Sequence, residues 1–266
     1  MRNMRTSKLS ISFSEVKGAE SIPDKRYILD SDEIIIYTIY LPNFTELKSE
    51  LSKFLDAKEL KKAQRFYKES DTNRFIIYRA ILKFILAAHT KLRIKDVYFD
   101  YNFNKKPYLI SHPWLHFNVS HSGEFAAIAI SRNKVGLDIE YMSNDFKFTT
   151  LLPDVFEDNE VLQIQKASDI KHAFYTSWTR KEAFVKALGK GIDEDFKNLP
   201  SLDGQYYIDS TLLQNTQNWK VNSFDFADNY LGAVAFEDSP AISKNIVLYS
   251  IPNNMDELLE MIPKRH

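Results

Sequence analysis

The sequence contains no cysteine, which excludes disulfide bonds, thiolate catalysis and cysteine-ligated metal sites. A chain without cysteine fits a reducing compartment, and we expect a cytoplasmic protein. Long apolar runs are also missing, because the most apolar stretch, 75–92, is interrupted by Arg79, Lys83 and His89. We therefore expect neither a signal peptide nor a membrane span.

The chain has no excess of charge of either sign. Its formal net charge is −1 over 266 residues, so nothing draws it as a whole towards nucleic acid or an anionic membrane. A basic site must then be local. With 44% hydrophobic and 27% charged residues, the composition is that of a globular protein with one large domain or two halves.

Two familiar site motifs are incomplete. Gly189-Lys190-Gly191 is not a phosphate-binding P-loop, because the upstream glycine and the Ser or Thr after the lysine are missing. His112 and His116 are four residues apart, but Pro113 lies between them and no H-E-x-x-H pattern is present. We set both aside as candidate sites.

The segment 135–140, V-G-L-D-I-E, predicts a strand that presents two carboxylates side by side. Residues two apart in a strand point to the same face, so Asp138 and Glu140 share one face while Leu137 and Ile139 point to the core. Two like charges so close repel unless a cation or protons lie between them. The alternative is an ordinary solvated strand edge.

The segment 172–192 predicts a strong helix that ends at Gly189. Trp178, Glu182 and Lys186 recur every four residues, so they lie along one face of this helix. The plain alternative is a surface Glu–Lys pair worth a few tenths of a kcal/mol. If the helix packs near the carboxylate strand, the same residues become candidates for chemistry.

The first half contains a basic helix at 57–69, followed by a buried helix at 73–90 for which Asp71 is the expected cap. A charge run of this kind is usually a solvated face. However, Arg74 falls in the first turn of the second helix, where free amide groups favour a phosphate. A hairpin is expected at 102–111, with Lys105 and Lys106 at its bend.

His121 lies in 116–123, where a short strand runs into a turn just before the apolar strand 125–131. A single loop histidine is more often structural than functional. Further strands are expected at 34–41, 96–101, 205–210, 218–225, 230–237 and 246–251, and helices at 45–54, 158–167 and 254–262. The similarity of F-A-A-I-A-I (125–130) to L-G-A-V-A-F (231–236) suggests a duplicated α+β unit.

Taken together, N-V-S-H-S-G (118–123), V-G-L-D-I-E (135–140) and W-T-R-K-E-A-F-V-K-A-L-G-K-G (178–191) resemble the 4'-phosphopantetheinyl transferase family. The resemblance is greatest to its long, single-chain, Sfp-type branch. It implies an α+β fold, a pseudo-dimer of two similar α/β halves with the active site in the cleft between them. We expect a loosely structured lead-in at 1–32, an N-terminal half at 33–133 and a C-terminal half at 134–266.

The resemblance implies transfer of the phosphopantetheine arm of coenzyme A to a serine of an acyl, peptidyl or aryl carrier protein, with release of adenosine 3',5'-bisphosphate. Asp138, Glu140 and Glu182 are then the ligands of Mg²⁺, for which Mn²⁺ is a substitute. Lys186 and His121 contact the pyrophosphate. Glu182, directly or through a metal-bound water, is the candidate general base, and its roles as ligand and base stay open.

Coenzyme A binding is implied for basic residues of the first half as well. Lys62, Arg65 and Arg74 fit the 3'-phosphate site, and Ser120 joins His121 and Lys186 as a contact of coenzyme A. Lys106 matches the lysine of the family's G-K-P turn, but Lys105 replaces the glycine, which puts the local backbone and the adenine-side contact in doubt.

The carrier protein is expected to dock on exposed apolar and basic groups, for which 146–148 and 166–171 are the candidates. We expect a monomer with no nucleic-acid or membrane partner. Two other functions stay open: a different Mg²⁺-dependent phosphoryl-transfer or pyrophosphate-cleaving enzyme, and a catalytically silent module that binds carrier proteins.

Overall fold

The computed structural model describes residues 6–23, 27, 29–30, 33–193, 195–209, 213, 217–238 and 245–262. Its strands are β1 (Thr6–Phe13), β2 (Glu20–Ser21), β3 (Glu33–Tyr40), β4 (Asp100–Tyr101), β5 (Pro107–Tyr108), β6 (His116–Ser122), β7 (Phe125–Ser131), β8 (Val135–Tyr141), β9 (Gly204–Asp209), β10 (Asn218–Ala227), β11 (Tyr230–Asp238) and β12 (Asn245–Ser250). Its α-helices are α1 (Lys48–Ser52), α2 (Ala57–Ala63), α3 (Glu69–Thr90), α4 (Leu152–Val155), α5 (Asp158–Lys166), α6 (Ile170–Leu188) and α7 (Met255–Glu260).

Two five-stranded sheets form the framework. Sheet I has the order β2-β12-β3-β7-β6, and sheet II has the order β8-β11-β10-β1-β9. In sheet I, β12 runs parallel to β3, whereas β7 is antiparallel to both β3 and β6. In sheet II, β11 is antiparallel to β8 and β10, and β1 runs parallel to β10.

The sheets pack face to face between two long helices. On β3, Ile35, Tyr37 and Ile39 join a core with α3, while Ile34 and Ile36 on the other face join the core between the sheets. Because successive side chains of a strand alternate in direction, a strand buried on both faces reads as a continuous apolar run. Leu137 and Ile139 of β8 face that same inter-sheet core, as expected.

The two halves repeat one unit of strand, long helix, strand and strand. In sheet I the unit is β3-α3-β6-β7 and gives the strand order β3-β7-β6; in sheet II it is β8-α6-β10-β11 and gives the order β8-β11-β10. The two similar apolar segments seen in the sequence are β7 and β11, the middle strands of these units. The predicted α+β fold of two similar halves is confirmed.

The ends of the chain cross between the sheets. The lead-in predicted for 1–32 is wrong for β1, which lies inside sheet II, paired with β10 on one side and β9 on the other. Leu9 and Ile11 are buried there. At the other end, β12 lies in sheet I between β2 and β3. Each sheet is thus completed by a strand from the opposite end of the chain.

Some predicted boundaries are also wrong. Helix α3 begins at Glu69, so Asp71 lies in its first turn and is not its cap. The strand expected at 96–101 is reduced to β4, because Ile94–Asp96 forms a 3-10 helix. By contrast, α6 ends as expected at Gly189, whose φ of 68° is in the left-handed region that favours glycine. No helix in the described ranges is long and apolar enough to cross a membrane.

Candidate active site

Helix α6 lies directly on β8 because Gly136 has no side chain. A Cβ at this position would overlap the backbone of Ala183 and Ala187 in α6. The glycine therefore lets the helix axis approach the strand closely. As a result, Glu182 and Lys186 are brought beside Asp138, which is two residues beyond Gly136 on the same face of β8.

Strand β8 is the edge of sheet II, and side chains of β6, the edge of sheet I, satisfy its free amide groups. The hydrogen bonds run from Leu137 N–H to Asn118 Oδ1 (2.8 Å), from Ile139 N–H to Ser120 Oγ (3.2 Å) and from Tyr141 N–H to Ser122 Oγ (3.1 Å). Asn118, Ser120 and Ser122 are two residues apart, so their side chains lie on one face of β6. That face accepts hydrogen bonds from all three amide groups of β8. The two sheets are joined here by side chains instead of by a backbone ladder.

The cavity formed between β6, β8 and α6 has a volume of about 370 Å³. It is lined by Val119, Ser120, His121, Asp138, Glu140, Trp178, Glu182 and Lys186. The predicted metal ligands and the predicted pyrophosphate contacts, taken from three separate segments of the sequence, therefore line one space.

Asp138 is the most deeply buried group of this cavity, with 2% of its surface exposed. Its Oδ1 accepts hydrogen bonds from Lys186 Nζ (2.6 Å) and Ser120 Oγ (2.9 Å). Its Oδ2 is buried and accepts no hydrogen bond from any described residue. Burial raises the pKa of Asp138, against the opposing effect of Lys186 and Ser120. A buried carboxylate oxygen without a donor is a place for a cation.

Glu140 and Glu182 complete a carboxylate cluster. Glu140 accepts hydrogen bonds from Ser122 Oγ (2.7 Å) and from the Trp178 indole, while burial and the neighbouring Asp138 raise its pKa to about 7. Burial and Asp138 raise the pKa of Glu182 too. Burial alone would lower the pKa of Lys186, but the three carboxylates raise it above its usual value.

This charge balance fits a divalent metal ion. When all three carboxylates are ionised, they face one ammonium and leave two uncompensated negative charges in a largely buried space, and their oxygens are hard donors of the kind that Mg²⁺ prefers. Across the described ranges, no group of three or more His, Asp or Glu side chains is arranged so that it could hold a metal ion as it stands. Lys186 Nζ binds one oxygen of Asp138, and the other oxygen has no hydrogen-bond donor among the described residues.

His121 lies at the side of the cavity that faces the first half. Its ring stacks on Tyr78 of α3 with a centroid distance of 5.4 Å. Burial, Arg74 and Lys186 lower the pKa of His121 to about 4. The imidazole is therefore neutral near pH 7 before an anion binds, and it can offer an N–H group to a phosphate oxygen.

The basic residues of the first half that were predicted to bind coenzyme A differ in how close they lie to the cavity. Arg74 pairs with Asp71 and is close enough to His121 to affect its pKa. Lys62 lies over the ring of Phe75, 5.2 Å from its centroid. Arg65 is exposed, and no side-chain contact places it at the cavity. The assignment of these residues to the 3'-phosphate stays a prediction.

Ser120 and Lys106 have structural contacts that the sequence did not indicate. The Ser120 hydroxyl is shared by Asp138, Lys186 and the Ile139 amide, so it positions the cavity's charges. The Lys106 ammonium donates to the carbonyls of Val135 (2.9 Å) and Lys186 (2.6 Å), where burial and the nearby Lys134 and Lys186 lower its pKa to about 8. Neither assignment to coenzyme A is tested by these contacts.

Sequence reasoning missed the roles of two side chains at this site. Ser122 borders the cavity, where it donates a hydrogen bond to Glu140 and accepts one from the Tyr141 amide of β8. Trp178 was placed on the correct helix face without a role, and it donates to Glu140. The alternation of Asn118, Ser120 and Ser122 was the available signal, because residues two apart in a strand share a face.

Two similar α+β halves, with carboxylates, a lysine and a histidine lining a cavity where the sheets meet, suit an enzyme that acts on a phosphorylated substrate. One family model, 4'-phosphopantetheinyl transferase superfamily, matches residues 134–235, and a second, 4'-phosphopantetheinyl transferase, N-terminal, matches residues 41–133.

Individual proteins are similar over most of the chain. HetI from Nostoc sp. PCC 7120 is 32% identical over 211 residues, covering 77% of this chain and 88% of HetI. Sfp from Bacillus subtilis strain 168 is 27% identical over 180 residues, covering 65% and 80%. The psf-1 protein of Bacillus pumilus is 27% identical over 213 residues, covering 79% and 90%. All three are described as 4'-phosphopantetheinyl transferases.

The chain belongs to the 4'-phosphopantetheinyl transferase superfamily. It is a transferase that moves phosphopantetheine from coenzyme A to a carrier protein. The family and the activity that the sequence motifs implied are confirmed.

Proposed function

We propose that the transfer takes place in the cavity between β6, β8 and α6, and that it depends on one Mg²⁺ held by Asp138, Glu140 and Glu182. The observation that carries the proposal is the buried Asp138 Oδ2, which lacks a donor among the described residues, in a cavity lined by three carboxylates and one lysine. When bound by Asp138, Glu140 and Glu182, Mg²⁺ would supply positive charge that offsets the negative charge of the pyrophosphate.

The protein's own groups position the pyrophosphate and offset its charge. Lys186 is fixed by Asp138 and Ser120, so its ammonium is already oriented before coenzyme A enters. The neutral His121 donates a hydrogen bond to a phosphate oxygen from the opposite wall. Fixed donors of this kind stabilise the charge that develops on the leaving phosphate without reorganising during the reaction.

Glu182 is the group that accepts the proton of the attacking serine in this proposal. Its side chain lines the cavity beside Asp138 and Lys186, and in the metal-free cavity burial and Asp138 raise its pKa. The serine oxygen forms a bond to the phosphorus that carries the pantetheine arm. The bond from that phosphorus to the bridging oxygen breaks, and adenosine 3',5'-bisphosphate leaves.

The carrier protein docks, in this proposal, beside a second cavity of about 390 Å³ that adjoins the first at Glu140 and Trp178. Aromatic side chains dominate its lining, and they include Tyr141, Phe146, Phe174 and Tyr175. Phe146 is 45% exposed, whereas Phe148 stacks on Phe174 at 4.4 Å and contributes less free surface. Lys147 adds an exposed positive charge, which suits an acidic partner.

Charge reversal tests this docking surface. Lys147→Glu is a cleaner change than Lys171→Glu, because Lys171 also donates to Asn144 in the adjacent loop. We expect the KM for the carrier to rise about 10-fold while the KM for coenzyme A stays constant, since the charge lies away from the phosphate cavity. Lys95→Glu, on the first half, is the matched control. An unchanged carrier KM for Lys147→Glu would rule out this dock.

The main test is to incubate the protein with coenzyme A, Mg²⁺ and an apo carrier and then to weigh the carrier. The proposal predicts a mass gain of one phosphopantetheine that requires Mg²⁺. Glu182→Gln should slow this gain at least ~100-fold, because it removes the base and a metal ligand together, whereas Glu50→Gln, on the surface of α1, should not. Cleavage of coenzyme A without a carrier mass gain would indicate a pyrophosphate-cleaving enzyme. Binding of the carrier without either reaction would indicate a catalytically silent carrier-binding module.

We also infer that one chain is sufficient for activity. The carboxylates, Lys186, Ser120 and His121 line one cavity within the chain, which supports this inference. A cytoplasmic location stays a prediction, in keeping with the reducing compartment that the lack of cysteine fits.

A further inference from the structure

The turn between β4 and β5 holds the carboxyl end of α6, the helix that carries Lys186. Carbonyl groups at the end of a helix have no partners within the helix and need donors from elsewhere. Asn104 Nδ2 donates to the carbonyl of Gly189 (2.8 Å), and Asn102 Nδ2 donates to the same carbonyl (3.4 Å). Two side chains of the first half therefore cap a helix of the second half.

Lys106, in the same turn, joins α6 to β8 directly. Its ammonium donates to the Lys186 carbonyl of α6 (2.6 Å) and to the Val135 carbonyl of β8 (2.9 Å). Val135 immediately precedes Gly136, at which the backbone of α6 lies against the strand. The Lys106 ammonium thus bridges the helix and the strand beside their contact.

The surroundings of Lys106 suit a structural tie between two elements. No carboxylate of the described residues pairs with it, and burial together with Lys134 and Lys186 lowers its pKa to about 8. Its partners are carbonyl oxygens, and a cation is favoured at the carboxyl end of a helix because the carbonyl groups there carry partial negative charge. Two of the three donors of the ammonium are already in use before any ligand enters.

Packing is incomplete on the side of α6 that faces this turn. A cavity of about 240 Å³ borders Ala187, Leu188 and Gly189, and it is lined by Asn102 and Lys106 as well. Groups beside a cavity lack part of the van der Waals contacts that fix a packed core. The hydrogen bonds from the turn supply restraint that packing does not provide here.

The restraint matters because of what the Lys186 side chain does. Lys186 Nζ is 2.6 Å from Asp138 Oδ1 and 3.1 Å from Ser120 Oγ, whereas its backbone carbonyl is the atom that Lys106 binds. We propose that Lys106 is a positioning residue, which fixes the main chain of Lys186 against β8 so that the Lys186 ammonium is aligned with the pyrophosphate. The inference rests on the proposed function, in which Lys186 contacts the pyrophosphate.

The test measures kcat and the KM for coenzyme A separately, using the intact protein, Mg²⁺ and an apo carrier. Lys106→Met keeps an unbranched side chain but removes its donors. It should lower kcat roughly 10–100-fold, because a displacement of about 1 Å in a catalytic group costs this much. The KM for coenzyme A should change less than about 3-fold, because Lys106 acts through Lys186 and does not touch the substrate.

The matched control is Lys134→Met. Lys134 lines the same cavity but pairs with Glu237 instead of holding α6. This change should leave both kcat and KM at their wild-type values. A fall in kcat equal to that of Lys106→Met would show that loss of any lysine at this cavity slows the enzyme, and it would overturn the proposal.

A double-variant cycle tests whether Lys106 acts through Lys186. Lys186→Ala removes the ammonium that Lys106 is proposed to position. Adding Lys106→Met to this variant should therefore lower kcat by less than about 3-fold further. If the two effects multiply instead, Lys106 does not act through Lys186 and the proposal is wrong.

Two other results would also overturn the proposal. A raised KM for coenzyme A with an unchanged kcat would show that Lys106 binds coenzyme A itself, and reduced stability with unchanged kcat and KM would show a purely structural role. If circular dichroism shows that Lys106→Met is unfolded, Lys106→Gln keeps a donor but is too short to reach both carbonyls. It should give the same selective fall in kcat, and an unchanged kcat would refute the proposal. Wild-type transfer is measured in parallel: its absence counts against the proposed function, whereas normal wild-type transfer leaves that function standing whatever the variants show.

Discussion

Asp138 shows what a residue pattern can and cannot predict. Alternation along a strand correctly placed Asp138 and Glu140 on one face, and helical spacing placed Glu182 beside Lys186. Neither rule could show that Lys186 reaches Asp138, because that contact depends on how α6 packs across β8. The burial of Asp138 could not be predicted from the sequence either, because a D-x-E pattern on a strand is more often exposed to solvent.

Buried cations are the main residues whose role the sequence concealed. In the run T-R-K-E of α6, Lys181 is fully buried and donates to the carbonyls of Val155 and Lys197. Arg180 donates to Ser223 and Ser201, so it ties α6 to sheet II. In sequence these residues resemble the solvent-facing lysines of α2. Only the packing distinguishes them.

Lys105 carries a local strain that a substitution can relieve. Its φ is 62°, in the left-handed region, at the position where the sequence departs from the family's glycine. Lys105→Gly should raise the free energy of unfolding by roughly 0.5–1 kcal/mol, the relief of strain less the added freedom of the unfolded chain. Denaturant unfolding measures it. The control is Lys17→Gly, because Lys17 is exposed and has no positive φ. This change should not raise the free energy of unfolding. Equal effects of the two substitutions would show that Lys105 is not strained.

At the scale of elements, the strand–helix–strand units were predictable because their apolar patterns are long and regular. The N-terminal strand was not, since Ser, Lys and Ser alternate with Leu9 and Ile11 and half of the segment is polar. Its partners, β9 and β10, lie some 200 residues away in the chain. A strand whose pairing is this distant leaves only a weak local signal.

The contact between α6 and β8 depends on Gly136, which gives a prediction about both stability and catalysis. Gly136→Ala should lower the free energy of unfolding by roughly 1–3 kcal/mol or more, because the added Cβ overlaps the backbone of α6. It should also lower kcat, because Glu182 and Lys186 move away from Asp138.

The matched control for this substitution is Gly191→Ala, where an added Cβ meets no atom within 4 Å. Unfolding curves and transfer rates of the two variants, measured side by side, separate a specific packing effect from a general effect of removing glycine. If Gly136→Ala has the stability and kcat of the wild type, α6 can accommodate a Cβ at this position. The close approach of α6 to β8 would then not determine the geometry of the site.

At the scale of the whole molecule, the proposed active cavity exists because the edge strands β6 and β8 of the two packed sheets lie side by side. Sheet I contributes Ser120 and His121 on β6, and sheet II contributes Asp138 and Glu140 on β8. The exchange of β1 and β12 between the sheets means that neither half of the chain completes its own sheet. The sequence showed that there were two similar halves; it could not show that their ends were exchanged, because the pairing partners lie at opposite ends of the chain.

Binding of Mn²⁺, followed by electron paramagnetic resonance during a titration in the presence of coenzyme A, tests the central claim most directly. The account predicts one tightly bound ion per wild-type chain. Asp138→Asn should weaken binding more than about 10-fold, because it removes a ligand charge, while the exposed Asp154→Asn should bind as the wild type does. If folded Asp138→Asn binds Mn²⁺ as tightly as the wild type, the carboxylates where the sheets meet are not the metal site, and the proposed mechanism is wrong.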